Sequence, residues 1–304
     1  MSVPIDPLAG LESINWSQLI HAYGPADDVP VLLRQLQSTD PEIYLTALDG
    51  CWSSIYHQGT RYSASVQAVP FLYSLLDHQA TKNRSTLLYL IIALGVGDPD
   101  WCVPNGLHVA EWEKRITNTE EEYRKFALDE FKSYEAVERG LSSVLHCLNE
   151  ESAAMRAAAA HALTFFPRQL ETSVPALLDL LSRESCKAVR GTAVLALAIL
   201  FAPLEDNPKR SSITQQTQDY YNACCGTGVE DIYSWSCVLA LLILGVVQKE
   251  LVEKAERVLK DGDYLSELNA SIEPDASFPF GMIDLRELAQ KVLEKAGIST
   301  ENVP

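Results

Sequence analysis

The chain has 304 residues, with 24 lysines and arginines against 41 aspartates and glutamates, a formal charge of −17. Hydrophobic residues make up 47% and charged residues 21%, the balance of a chain that folds around a core. So acidic a chain argues against holding nucleic acid or docking on an anionic membrane as its main task, and leaves a basic protein surface or a neutral small molecule as partner.

Met1-Ser2-Val3-Pro4-Ile5-Asp6 has no basic stretch followed by an apolar one, so no secretory signal is expected. A self-similar pattern then runs along the chain. Val29-Pro30-Val31-Leu32-Leu33-Arg34-Gln35-Leu36 predicts a short helix, residues 38–41 a turn, and Ile43, Ala47, Leu48, Cys51, Trp52 and Ile55 a longer helix. Val69-Pro70-Phe71-Leu72-Tyr73-Ser74-Leu75-Leu76 opens a second pair, which continues through Leu87, Leu88, Leu90, Ile91 and Leu94. A third opens at Gly140-Leu141 and continues with Met155-Arg156, Ala159, Ala162 and Leu163. The fourth opens Val174-Pro175-Ala176-Leu177-Leu178 and continues with Val189-Arg190, Ala193, Ala196 and Leu197. Each proline is expected in the first turn of its helix, where its missing N–H costs nothing.

Between the second and third pairs, about 98–139, lies an insertion with a charged later part. Trp112, Tyr123, Ala127, Tyr134 and Val137 recur there at helical spacing, which predicts an amphipathic helix or helix pair. Its acidic residues, Glu120, Glu121 and Glu122 among them, form either a solvated outer face or a partner-binding one. Further on, residues 232–247 read as one more buried helix, whose most apolar run, 238–247, is about half the length a membrane span needs. Leu251–Lys260 and Leu285–Ala296 read as amphipathic closing helices, and residues 271–283, with Phe278-Pro279-Phe280, as a segment able to lie across the array. Seven scattered cysteines (51, 102, 147, 186, 224, 225, 237) fit buried thiols in a reducing cytoplasm better than a disulfide framework.

Val-Pro-x-Leu-Leu-x-x-Leu followed by Val-Arg-x-x-Ala-x-x-Ala-Leu resembles the HEAT repeat, with Val189-Arg190…Ala193…Ala196-Leu197 as the best copy, over roughly residues 25–200. Residues 16–36 and His57-Gln58-Gly59-Thr60-x-Tyr62 also look like uncharacterised bacterial and fungal HEAT-like proteins. The resemblance implies an all-α fold, a right-handed α-solenoid of HEAT-like helical hairpins. The chain would be a single domain over 1–304, with an insertion at about 98–139 and atypical capping helices over about 248–304. HEAT motifs specify a fold and say little of chemistry.

Catalytic signatures are sparse. The histidines, at 21, 57, 78, 108, 146 and 161, never form H-x-x-x-H, and none precedes a glutamate, so the metal motifs of HEAT-type deoxyhypusine hydroxylases are missing. The charge is wrong for the basic groove of HEAT-like alkylpurine glycosylases. G-x-S-x-G, the P-loop and G-x-G-x-x-G do not occur, and no cofactor or metal is expected. The best chemical candidates are an N-terminal group of Trp16, His21, Tyr23, Asp27, Tyr44, Trp52, Tyr56, His57 and Tyr62. A histidine beside a tyrosine and an aspartate can move protons near neutrality, while aromatics can wall an apolar or cationic ligand. For an enzyme, His57, Tyr62, His21 and Asp27 would be catalytic. For a binder, the contact residues would be Tyr44, Tyr56, His57, Tyr62, Trp101, Arg168, Glu120, Glu121 and Glu122. The loops joining successive pairs would gather His57, Gln58, Thr60, Arg61, Tyr62, Asp98, Asp100, Trp101, Arg168, Lys209 and Arg210 on one rim. Trp16, Trp52 and His161 also fit a core.

Two functions follow as expectations. One is a non-enzymatic scaffold for a protein with a basic patch, in a specific form an immunity-type inhibitor of a basic toxin. The other is a small-molecule enzyme or ligand chaperone, such as a cyclase or isomerase of secondary metabolism or a protein resembling the HEAT-like phycobilin lyases.

Overall fold

The computed structural model describes residues 6–225, 230–276 and 284–300. It is an all-α protein: among the described residues there are 15 α-helices, and the strands form only two short hairpins. Phe278-Pro279-Phe280 and Gly226-Thr227-Gly228 lie outside the described residues. Packing divides the chain into two compact units, Met1–Pro99 with Val109–Val144, and Asp100–His108 with Leu145–Pro304.

The first unit opens with the hairpin β1 (Ile20–His21) and β2 (Gly24–Pro25), followed by α1 (Val29–Gln35) and α2 (Pro41–Ser54). Asp40 caps α2 by accepting the Glu42 N–H at 2.9 Å, ahead of Pro41 in the first turn. Tyr44, Ala47, Leu48 and Cys51 form its buried face, so the stripe begins at Tyr44, and Ile43 points outward. A second hairpin, β3 (Tyr56–His57) and β4 (Thr60–Arg61), turns through Gln58 and Gly59, both with positive φ (49° and 86°). Two such residues in a two-residue loop suit the right-handed twist of the strands.

The helix α3 (Ser63–Asp77) begins seven residues before Pro70, so this proline is interior, as is Pro175 in α9 (Leu170–Arg183). Only Pro30 holds the expected first-turn position in its Val-Pro helix. Each interior proline removes one backbone hydrogen bond, a cost the burial of the surrounding leucines and valines must offset.

The helix α4 (Arg84–Val96) is buried from Leu87 to Val96 except at Tyr89, and a helix apolar all round needs cover on several sides. That cover comes from α3 and from the supposed insertion, whose α5 (Val109–Asn118) and α6 (Glu121–Arg139) complete this unit's core. Tyr134 and Val137 are fully buried on α6, Ser133 donates to the Leu94 carbonyl at 2.7 Å, and Tyr73 of α3 donates to the Val137 carbonyl at 2.8 Å. Tyr123, expected on the same stripe, is instead exposed with Phe126, because only the C-terminal half of α6 is covered.

The helix α7 (Leu141–Cys147) carries the chain into the second unit. That unit holds α8 (Ala153–Leu163), α9, α10 (Lys187–Phe201), α11 (Arg210–Cys225), α12 (Ile232–Ile243), α13 (Lys249–Lys260), α14 (Gly262–Ala270) and α15 (Leu285–Lys295). Its centre is α10, buried on nearly every side and flanked by α8, α9 and α12. Gly191 lets α12 approach: a Cβ there would sit 2.6 Å from Ser236 Oγ. Arg210 closes the far ends of α10 and α12, donating to the Phe201 carbonyl at 2.9 Å and the Leu244 carbonyl at 3.2 Å. Glu273 caps the start of α10 from a distant segment, accepting the Lys187 N–H at 2.7 Å and the Ala188 N–H at 3.2 Å.

Candidate functional site

The His–Tyr cluster is built by the two hairpins of the first unit. In the Ala22-Tyr23 turn, His21 Nδ1 accepts the Tyr23 N–H at 3.0 Å. The ring proton therefore sits on Nε2, which donates to Asp28 Oδ1 at 2.8 Å. The carboxylate that meets His21 is thus Asp28, one residue beyond the expected Asp27, which is exposed. With both nitrogens engaged and the side chain 5% exposed, His21 fastens the turn to α1.

His57 differs. Its Nδ1–H donates to the Ser53 carbonyl at 3.1 Å, which leaves Nε2 as an acceptor. The Tyr23 ring, 68% exposed, stands edge-on to His57 at 5.6 Å and to His21 at 6.1 Å. Trp52 and Tyr56 pack edge-to-face at 5.1 Å. Tyr62 begins α3, its N–H donating to Ser65 Oγ at 2.7 Å; burial raises its phenol pKa, and the nearby Glu130 and Tyr23 raise it further. The structure thus brings His57, Tyr62, His21 and Tyr23 into one neighbourhood. It does not bring in Tyr44, which is wholly buried on α2 with its hydroxyl donating to the Asn83 carbonyl at 3.4 Å, its phenol pushed to about 12 by burial and then by Cys51.

Arg61, expected on the rim, is buried. It bonds the Gly59 carbonyl, pairs with Glu130 of α6 at 3.3 Å and lies 5.6 Å from the Trp112 ring centre. Burial raises the Glu130 pKa more than Arg61 lowers it. The hairpin β3–β4 is thereby fixed to the unit's core, and its turn presents only the outer residues.

Glu120, Glu121 and Glu122 are all exposed at the start of α6, where the helix dipole favours negative charge. Tyr123 and Phe126, 58% and 50% exposed, follow on the same half-helix. Phe126 was not singled out from sequence, because its spacing from Tyr123 matches a core stripe. In the second unit Trp101 is 73% exposed in the turn Pro99–Cys102, and Arg168 is exposed in the turn Pro167–Gln169. Lys209 is spent on Glu171 at 2.6 Å and Arg210 on helix ends. His161 is core: burial lowers its pKa to about 3, and it stands edge-on to Phe165 at 5.0 Å.

Among the described residues no three histidines, cysteines or carboxylates gather as a metal site, and no helix is long and apolar enough to cross a membrane. In comparisons, no family model, curated protein or solved structure matches the chain.

Proposed function

We propose that this protein is an acidic HEAT-type helical-repeat scaffold that binds another protein carrying a basic patch. The observation that carries this reading is the outer half of α6, where three exposed glutamates adjoin two exposed aromatic rings. Aromatic anchors bounded by charge are the usual makings of a protein contact, the rings supplying affinity and the carboxylates supplying steering. The total charge of −17 favours a basic partner in the same way. An immunity-type inhibitor of a basic toxin is a specific form of this proposal and rests on charge alone. The matching Met155-Arg156…Ala159…Ala162 of α8 and Val189-Arg190…Ala193…Ala196 of α10 support right-handed solenoid stacking, as the resemblance implies.

The test is retention from native lysate by the intact chain and by two variants. One replaces Glu120, Glu121 and Glu122 with glutamine; the other replaces Tyr123 and Phe126 with alanine. A basic protein held at low salt, released at moderate salt and lost with both variants supports the reading. Equal retention by all three proteins refutes it.

The second reading is small-molecule chemistry at His57, favoured by its Nε2 beside the exposed Tyr23 ring. Its weakness is geometric: the carboxylate that would orient a catalytic histidine, Asp28, serves the buried His21 instead. Turnover lost in His57→Ala with melting unchanged would favour it over the scaffold.

A further inference from the structure

A cleft of about 380 Å³ opens in the second unit between α10, α11 and α12. Its walls include Lys187, Arg190, Tyr220, Cys224, Asp231 and Tyr233. We infer that it is a binding site for a small-molecule oxyanion, a carboxylate or phosphoryl group, held by Arg190.

Two repeats of the same chain make the comparison. Arg156 and Arg190 occupy the same place in consecutive Val-Arg-type helices, each followed by alanine three and six residues later. Arg156 is fully answered: Glu184 takes its Nε at 2.6 Å and its Nη2 at 3.0 Å, and the Glu150 and Glu151 carbonyls take Nη1. Arg190 has no such partner. Its side chain makes no hydrogen bond or ion pair among the described residues, and its Nε is buried without an acceptor. The guanidinium carbon instead lies 3.9 Å from the centre of the Tyr233 ring.

The carboxylates that could have answered it are engaged elsewhere. Glu184 has its counterpart ahead of the next helix in Glu230 and Asp231. Glu230 pairs with Arg257 at 3.0 Å. Asp231 holds Lys187 at 3.1 Å with Oδ2 and caps α12 with Oδ1, accepting the Ser234 N–H at 2.9 Å. Lys187 is neutralised by that pair, so the cleft's uncompensated charge is that of Arg190.

Buried donors and acceptors in folded proteins find partners. A guanidinium stacked on one face keeps its in-plane N–H fork available, and that fork matches the two oxygens of a carboxylate or phosphate. The volume falls at the small end of ligand pockets, and the tyrosine walls suit a ligand with a flat or apolar body. This site is independent of the acidic face on α6.

The test is calorimetric titration of the full chain with inorganic phosphate and, separately, with benzoate, at constant ionic strength set with chloride. Wild type is expected to bind one equivalent of at least one probe saturably. Arg190→Met should weaken that binding at least tenfold, and Arg190→Lys, which keeps the charge but not the fork, severalfold; near-ultraviolet circular dichroism checks that both fold. Saturation by phosphate assigns a phosphoryl ligand and saturation by benzoate a carboxylate. No saturable binding of either probe by wild type, or equal binding by Arg190→Met, overturns the inference.

Discussion

Arg156 and Arg190 should respond very differently to the same substitution. Arg156→Met removes four hydrogen bonds, two of them to a carboxylate whose side chain is only 3% exposed. Glu184 keeps the Ser185 and Cys186 N–H groups at 3.0 and 2.9 Å, which lessens the loss. Breaking a buried pair from one side costs about 3–5 kcal/mol, and the two remaining N–H bonds place this case near the lower end, at about 3 kcal/mol. Arg190→Met removes no hydrogen bond and exchanges a cation stacked on Tyr233 for a thioether on the same ring, a loss of about 1 kcal/mol. Urea unfolding followed by far-ultraviolet circular dichroism measures both. A loss of 3 kcal/mol lowers the midpoint by about 1 M or more at ordinary slopes, and 1 kcal/mol lowers it by a third of that. A cycle with Glu184→Gln should return a coupling above about 1.5 kcal/mol for Arg156 and none for Arg190. Equal costs for the two methionine variants would refute the view that one arginine holds the fold and the other awaits a ligand.

Four further outcomes can be checked. Burial raises the Glu184 pKa, but Arg156 and the two N–H groups outweigh it, so the folded pKa lies below the unfolded one; the stabilisation is full above the unfolded pKa and is lost as pH falls through the folded one, so the penalty of Arg156→Met should shrink on acidification. Gly191→Ala should destabilise the second unit by about 1–3 kcal/mol in thermal melting, because the new methyl meets Ser236 Oγ at 2.6 Å inside a closed contact. Gly140→Ala should do the same in the first unit, where the methyl meets the Tyr73 ring at 2.1 Å, and a second change, Tyr73→Leu, should recover part of the loss. Solution scattering should give a radius of gyration above the roughly 19 Å of a compact chain of 304 residues if the pairs stack as a solenoid; a value at that figure contradicts the stacking proposal.

The helices were legible for two reasons: half-burial writes a 3.6-residue period on α5, α13 and α15, while α4, α8, α10 and α12, buried nearly all round, show as apolar runs too long for strands. The hairpins were not, since two-residue strands carry no period, and His57-Gln58-Gly59-Thr60 differs from a loop only in its backbone angles. The packing role of α6 was hidden for a related reason. Charge on α6 marks its exposed half, while the need for α6 came from α4, whose apolar girth exceeds what α3 alone can cover. In the His–Tyr cluster the residue types were visible and the pairings were not. Choosing Asp28 over Asp27 depends on where the first turn of α1 begins, a shift of one residue that composition does not encode.

The same limit explains why the Arg190 cleft is invisible in sequence. Val189-Arg190 is the best copy of the repeat signature, and a repeat signature reads as structure. What distinguishes it from Met155-Arg156 lies in the next turn, where Asp231 and Glu230 are present but are engaged by Lys187 and Arg257. Arg156 and Arg190 face different carboxylates, so one diverted carboxylate releases one arginine without disturbing the bonds of the other. Such a position retains the geometry that earlier copies used to hold the fold, and its vacant fork can be answered from outside. Departure from a repeat in partner rather than in residue type therefore marks a candidate site as surely as a break in the motif does.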